Sequence, residues 1–121
     1  MFEITKEFRF EAAHKLPLHD GKCARLHGHS WRGRLVLRAA MPIQCGPKTG
    51  MVQDFGDVSK VLAPFVEVHL DHHYLNETTD TVQPTSELLA EWVFNELKPK
   101  LPLLVAVEID ETCTSSARYE P

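Results

Sequence analysis

Hydrophobic and polar residues alternate at the start of the chain. One set of alternate positions is mostly apolar and the other is polar: Phe2, Ile4, Phe8, Phe10 and Ala12 against Glu3, Thr5, Glu7, Arg9 and Glu11. Because successive side chains of a strand point to opposite faces, this period of two predicts a half-buried strand over residues 2–12. The same alternation over residues 31–39, with Trp31 and Leu35 among its apolar positions, predicts a second strand.

In the middle of the chain, apolar residues recur with the period of a helix. Val58, Val61, Leu62 and Phe65 recur at the spacing of one helix face, after a candidate cap at or near Asp57. Pro64 lies inside this pattern. Proline lacks the amide hydrogen and its ring clashes with the preceding turn, so we expect the helix to be kinked or shortened there.

A second helix is predicted over Ser86–Leu97. Thr85 is a suitable N-cap and Pro99 ends the segment. The expected core stripe comprises Leu88, Leu89, Trp92, Val93 and Leu97.

Two further strands are predicted near the C-terminus, a strong one over residues 103–109 and a weaker one over residues 112–119. The order strand, strand, helix, helix, strand, strand predicts an α+β fold with a four-stranded antiparallel sheet and two helices on one face. With 121 residues and no linker-like stretch, we expect one domain spanning residues 1–121.

Composition narrows the classes of function. The net charge of −4 argues against nonspecific binding of nucleic acid. A local group of arginines fits either a solvated strand face or a patch that attracts an anionic substrate: Arg25, Arg32, Arg34 and Arg38. No apolar run is long enough to span a membrane, no secretory signal is recognisable, and the odd set of three cysteines favours a reducing cytoplasm.

Three histidines occupy positions that strand pairing would bring together. His27 and His29 share one face of an extended segment, the face that continues with Trp31. His14 has the parity of Phe10 in the first strand. If the strands pair, three imidazoles converge, and three neutral imidazoles with an open fourth position suit a catalytic zinc. The alternative is a chance His-Gly-His pair in a loop.

Two other groups of residues carry candidate chemistry. Cys23 lies near Lys22 and Arg25, which favour its thiolate, and it is either a fourth zinc ligand or a reactive thiolate beside the metal. Asp71 precedes His72, and a carboxylate beside an imidazole can fix its tautomer. An ordinary polar helix end is the alternative for this second pair.

Six segments, in order along nearly the whole chain, resemble the 6-pyruvoyl-tetrahydropterin synthase family: residues 8–16 (FRFEAAHKL), 23–30 (CARLHGHS), 50–55 (GMVQDF), 70–76 (LDHHYLN), 84–87 (PTSE) and 111–114 (ETCT). The short gap between Cys23 and His27 and the string LHGHS are similar to the bacterial 6-carboxy-tetrahydropterin synthase branch of queuosine biosynthesis. The animal pyruvoyl synthases usually have a longer gap.

The resemblance implies roles for single residues. His14, His27 and His29 match the zinc ligands of the family, and Cys23 matches the general base that removes a side-chain proton. Because the family's active sites lie between subunits, we expect Cys23 to be able to meet a relay histidine across an interface.

The remaining site residues also match family positions. Asp71 and His72 match the relay partners. Glu111 matches the carboxylate that binds the amino-pyrimidine edge of the pterin and can take part in the relay. A second stretch that lines the pterin pocket matches Thr85, Ser86 and Glu87.

The implied fold is the tunnelling fold, or T-fold, in which subunits form trimeric barrels that stack into hexamers. The implied activity is that of a lyase which converts 7,8-dihydroneopterin triphosphate to 6-carboxy-tetrahydropterin with release of acetaldehyde and triphosphate. A pyruvoyl synthase, which eliminates triphosphate without cleaving the side chain, and a non-catalytic zinc-binding module are the alternatives.

Overall fold

The alternating N-terminal segment forms strand β1 (Phe2–His14) in a computed structural model that describes all 121 residues. The strand pairs antiparallel along its whole length with β2 (His27–Ala39). Both strands extend through the histidines, beyond the predicted bounds. The other elements are α1 (Phe55–His69), β3 (His73–Tyr74), α2 (Leu75–Thr78), α3 (Ser86–Leu97), β4 (Leu104–Thr112) and β5 (Ser115–Tyr119).

The sheet has five strands in the order β3-β1-β2-β4-β5, one more than predicted. The four long strands pair antiparallel, which confirms the α+β prediction. The additional strand β3 is parallel to β1 and pairs only through His73 and Tyr74. Two-residue strands and one-turn helices such as α2 are too short to show a periodic pattern, so the sequence did not reveal them.

The apolar face of the sheet packs against the helices in one cluster of 19 buried residues. Phe10 stacks on Trp31 with ring centroids 5.7 Å apart. Gly33 lies opposite Phe8, and a Cβ at this glycine would come within 2.1 Å of Phe8 Cζ. Phe2, predicted on this face, is 52% exposed at the first position of the strand.

Helix α1 begins after Asp54, whose carboxylate accepts a hydrogen bond from the Gly56 amide at 2.7 Å. The predicted shortening at Pro64 does not occur, since the helix continues to His69. Pro64 and Lys60 are both exposed, so water can bond to the Lys60 carbonyl that loses its partner.

Helix α3 agrees with its predicted bounds, and Thr85 Oγ1 accepts a hydrogen bond from the Leu88 amide at 3.2 Å. Leu88 itself is 40% exposed, so its placement in the core stripe was wrong. No helix is long and apolar enough to cross a membrane.

The other face of the sheet is charged, and its arginines are paired across strands. Arg38 donates to Glu3 at 2.6 Å and Arg34 donates to Glu108 at 2.8 Å. Arg32 likewise donates to a carboxylate, that of Asp110, at 2.8 Å. This pairing favours the strand-face interpretation of these arginines over the anion patch.

Candidate active site

Strand register brings three histidines to one point. His14 lies directly opposite His27 in the β1–β2 pair, and His29 shares the face of His27. The ring centroid of His14 is 4.5 Å from that of His27 and 5.2 Å from that of His29, and the last two are 4.9 Å apart. Pairing of β1 with β2 therefore suffices to assemble the predicted imidazole cluster.

Backbone carbonyls orient two of these rings. His14 Nδ1 donates to the Pro84 carbonyl at 2.8 Å, and His27 Nδ1 donates to the Arg25 carbonyl at 2.7 Å. Because a carbonyl can only accept, the proton of each neutral ring lies on Nδ1, and Nε2 keeps its lone pair. Such an outer hydrogen bond is typical of metal-binding histidines.

The inward atoms of the cluster lack hydrogen-bond partners. The Nε2 atoms of His14, His27 and His29 are buried and unpaired. Glu111 Oε1 lies 2.9 Å from His29 Nε2 and 3.4 Å from His14 Nε2, but the angles do not form a hydrogen bond. The four ligand atoms lie within 4.8 Å of one another.

Converging lone pairs repel one another unless a cation lies between them, and buried polar atoms rarely stay unsatisfied. Three nitrogen donors and one carboxylate oxygen are a donor set that zinc accepts. The residues thus fit a metal ion, and the predicted ligands His14, His27 and His29 form a possible metal-binding cluster with Glu111.

Burial lowers the pKa of His14, with smaller lowering contributions from His27 and His29. The hydrogen bond to Pro84 and the charge of Glu111 act in the opposite direction. The net effect keeps His14 neutral at pH 7, which is the form that binds a metal.

Trp31 packs against the histidine cluster. Its side chain is 1% exposed and its Nε1 donates to the Ala12 carbonyl at 3.1 Å. The ring meets the edges of His14 and His29 at centroid distances of 4.9 and 5.3 Å. This packing restricts rotation of both imidazoles.

Asp71 and His72 form a second group, in the turn after α1. Asp71 Oδ2 lies 2.9 Å from His72 Nδ1, and Asp71 Oδ1 accepts from the Glu11 amide at 2.8 Å. The hydrogen bond from Glu11, followed by that from His72, lowers the pKa of Asp71. The predicted pair therefore exists in the structure and is attached to β1.

His72 has a φ of +59°, the only positive value outside glycine. Its amide donates to the Glu11 carbonyl at 2.6 Å, which holds this left-handed conformation. The side chain is 79% exposed. A strained, exposed residue that its surroundings hold in place is typical of functional sites.

One open groove of about 620 Å³ is lined by one residue of each group. His29 and His72 both line it, together with Glu11, Ser30 and Tyr74. Ser30 Oγ donates to Glu11 Oε1 at 2.6 Å across the strand pair. One histidine of the metal-binding cluster and one residue of the acid–base pair thus line a common groove within one chain, although the Nε2 atoms of the cluster are buried.

Cys23 lies outside the cluster of metal-binding atoms. It belongs to a 3₁₀ turn, Lys22–Ala24, in the connection between β1 and β2, and its thiol is free and half-buried. Its carbonyl accepts from the Leu16 amide at 2.8 Å. This placement does not support its interpretation as a fourth metal ligand.

The stretch predicted to line the pterin pocket, residues 85–87, has a structural role within its own chain. Thr85 caps α3, Ser86 is buried and Glu87 is exposed in the first turn. None of the three lines the groove that His29 and His72 share. Within one chain, the hydrogen bond to the cluster comes from the residue before this stretch, Pro84, whose carbonyl accepts from His14 Nδ1.

Side-chain patterns in the sequence do not mark the backbone partners of the site. The carbonyls of Pro84 and Arg25 and the amide and carbonyl of Glu11 all position site residues. Backbone atoms occur in every residue, so no residue type marks them. The only available signal was that these residues lie within the segments that resemble the family.

The fold and the site together define a T-fold protein with a candidate metal centre at one end of a β-strand pair. A family model described as 6-pyruvoyl tetrahydropterin synthase matches residues 3–121, and the chain belongs to this family.

Named relatives and a solved structure agree with this assignment. The chain is 52% identical to the 6-carboxy-5,6,7,8-tetrahydropterin synthase of Synechocystis, over 98% of this chain and 93% of that protein. It is 30% identical to the enzyme of the same name from Haemophilus influenzae, over 99% of each chain. The 6-pyruvoyl tetrahydropterin synthase structure from Caenorhabditis elegans has a TM-score of 0.84 at 28% identity, over 99% of this chain and 95% of that one. These relatives indicate that the chain is an enzyme of the pterin synthase type, a lyase.

Proposed function

We propose that this protein is a zinc-dependent 6-carboxy-5,6,7,8-tetrahydropterin synthase. Its substrate is 7,8-dihydroneopterin triphosphate, and its other products are acetaldehyde and triphosphate, in a step towards queuosine. The convergence of three unpaired Nε2 atoms and the Glu111 carboxylate is the observation that carries the proposal. The shared name of bacterial relatives favours the carboxy product. One domain, residues 1–121, performs the reaction in the cytoplasm.

His14, His27 and His29 hold the zinc, with Glu111 beside it. When bound, zinc supplies Lewis acidity that makes a carbon-bound hydrogen next to a substrate hydroxyl easier to remove. The buried indole of Trp31 and the carbonyl of Pro84 keep the ligands oriented.

The chain's own acid–base groups move the protons. Cys23, as thiolate, removes a proton from the substrate side chain. His72 returns a proton through its exposed Nε2 side, because Asp71 engages Nδ1 at 2.9 Å. The shared groove allows a substrate near His29 to reach His72.

Glu111 and the Thr85, Ser86 and Glu87 stretch bind the pterin. A carboxylate suits the amino-pyrimidine edge because it accepts hydrogen bonds from the N–H groups there. Since the latter stretch lies away from the groove of its own chain, we propose that it contributes to a pocket between subunits.

We propose assembly into trimers, or dimers of trimers, and the sheet edges support it. β3 covers β1 only at Ala12 and Ala13, so the rest of that edge lacks a strand partner. β5 is the opposite edge strand. Pairing of the β1 edge with the β5 edge of a neighbouring copy removes both exposed edges, and places active sites between subunits, where Cys23 can meet a neighbouring His72.

Incubation of zinc-loaded protein with 7,8-dihydroneopterin triphosphate, followed by mass identification of the products, tests the proposal. We expect 6-carboxy-tetrahydropterin, acetaldehyde and triphosphate, and no turnover by chelator-treated protein. A 6-pyruvoyl product without acetaldehyde would assign the sister activity to the same site. Unchanged substrate with zinc bound would support a non-catalytic zinc-binding module.

A further inference from the structure

Carboxylates pair with most cations of the sheet and with two lysines around the start of α1. The paired residues are Arg9, Arg32, Arg34, Arg38, Lys48, Lys60 and Arg118. The cations without a carboxylate within 4.0 Å are Lys6, Lys15, Lys22, Arg25, Lys98 and Lys100. Among these, Lys98 Nζ donates to the carbonyls of Pro102 and Leu104 at 2.7 and 2.8 Å.

The free cations concentrate in the connection between β1 and β2. Lys15, Lys22 and Arg25 all lie there and all are exposed. Asp20 is the only carboxylate between them; its side chain is fully exposed, 3.9 Å from His19 Nδ1. This connection, which we call the cationic loop (residues 15–25), therefore carries uncompensated positive charge although the chain as a whole is acidic.

Hydrogen bonds tie the cationic loop to the metal-binding cluster. Lys15 directly follows His14, and Asn76 brackets its backbone by accepting from its amide at 3.0 Å and donating to its carbonyl at 2.8 Å. At the other end, the Arg25 carbonyl accepts from His27 Nδ1 at 2.7 Å. The Arg25 amide donates to the Lys22 carbonyl at 3.0 Å. The backbone of each cation is thus fixed close to the cluster.

We propose that Lys15, Lys22 and Arg25 bind the triphosphate group of the substrate, an inference that rests on the proposed function. A multiply charged phosphate chain needs cations that carboxylates have not already neutralised, and a guanidinium can bind two phosphate oxygens at once. Because the two ends of the cationic loop are joined to His14 and His27, its positive charge lies beside the atoms that react. The pterin itself is held elsewhere, so the loop selects for the phosphorylated side chain.

The test uses a Lys22→Gln/Arg25→Gln protein and a matched control, Lys60→Gln/Lys100→Gln, which removes the same charge from the helical surface. Binding of inorganic tripolyphosphate, added as its magnesium complex so that zinc stays bound, is measured by calorimetry. We expect the loop variant to bind at least about tenfold more weakly, since loss of charge-assisted bonds costs about 1.4 kcal/mol or more. The control should bind within about twofold of the unmodified protein.

Kinetics provide a second readout. The KM for 7,8-dihydroneopterin triphosphate should rise at least about tenfold in the loop variant, while binding of dihydroneopterin without phosphates stays unchanged. Tripolyphosphate binding does not depend on the Cys23 thiolate, so a change in thiol reactivity cannot imitate the expected result.

The two proposals fail in different ways. Equal weakening in both variants, or no tripolyphosphate binding by the unmodified protein, would overturn the loop site. A chain that binds tripolyphosphate through the loop but leaves the pterin triphosphate unchanged would contradict the proposed reaction and keep the anion site. Normal turnover with an unaltered KM in the loop variant would overturn the triphosphate site but not the proposed reaction.

Discussion

The histidine cluster and the Asp71–His72 pair both depend on strand β1, but the strand holds them in different ways. The cluster consists of side chains on paired strands, and register places His14 opposite His27. The pair lies outside the ladder, where the Glu11 amide and carbonyl bond to Asp71 and to the His72 backbone. Strand pairing therefore positions the histidine cluster, whereas contact with the edge of β1 positions the Asp71–His72 pair.

The two groups also differ in solvent exposure. The His14 side chain is 1% exposed, and that of His72 is 79% exposed. Burial keeps His14 neutral and immobile, as a metal ligand requires. Exposure leaves His72 open to the groove, as a proton-transfer group requires, although its backbone is strained. The difference indicates that the protein separates a rigid binding centre from an accessible acid–base group.

Removing a ligand from the cluster should have the largest effect. We expect His27→Gln to lower zinc affinity by more than about 100-fold, beyond the usual 10–100-fold cost of losing an outer partner, and to abolish turnover. Competition with a chelator measures the affinity. His73→Gln is the matched control for zinc affinity, because His73 Nε2 donates to the Glu67 carbonyl and lies outside the cluster. If the His27 variant kept wild-type zinc affinity, His27 would not be a ligand of the metal centre.

Changes at His72 should separate catalysis from metal binding. His72→Ala and His72→Gly should each lower kcat by about 10²–10⁴-fold with zinc content unchanged, because both lack the imidazole. The glycine variant should be more stable than the alanine variant by about 1 kcal/mol in urea unfolding, since glycine tolerates a positive φ. Equal stability of the two variants would contradict backbone strain at this position. Retained turnover would contradict the relay role.

The smallest effect concerns the pH dependence of stability at Asp71. The folded-state pKa lies below the ordinary 3.8, so the charged carboxylate stabilises the fold above pH 3.8. This contribution is lost as the pH falls from 3.8 through the folded-state pKa. We expect the stability difference between the unmodified protein and Asp71→Asn, measured by urea unfolding, to shrink across this window. A constant difference from pH 6 to pH 3 would show that the charge of Asp71 does not contribute.

Periodicity was most informative where elements were long. The alternation around Phe8, Phe10 and Trp31 predicted the strands whose side chains form the core, and parity placed His14 on the face of His27 and His29. Burial depended on more than parity, as exposed Phe2 and Leu88 show. Neither residue could be assigned without knowing where the opposing layer ends.

The sequence by itself determined the α+β order, the parity of the three histidines and the neighbouring positions of Asp71 and His72, because these follow from local period and covalent connection. The tertiary structure alone decided that Glu111 joins the cluster, that Pro84 and Arg25 orient its rings and that Glu11 holds the acid–base pair. These contacts join segments far apart in the chain or use backbone atoms that every residue possesses. Their positions depend on how the sheet and loops pack, which no local pattern encodes.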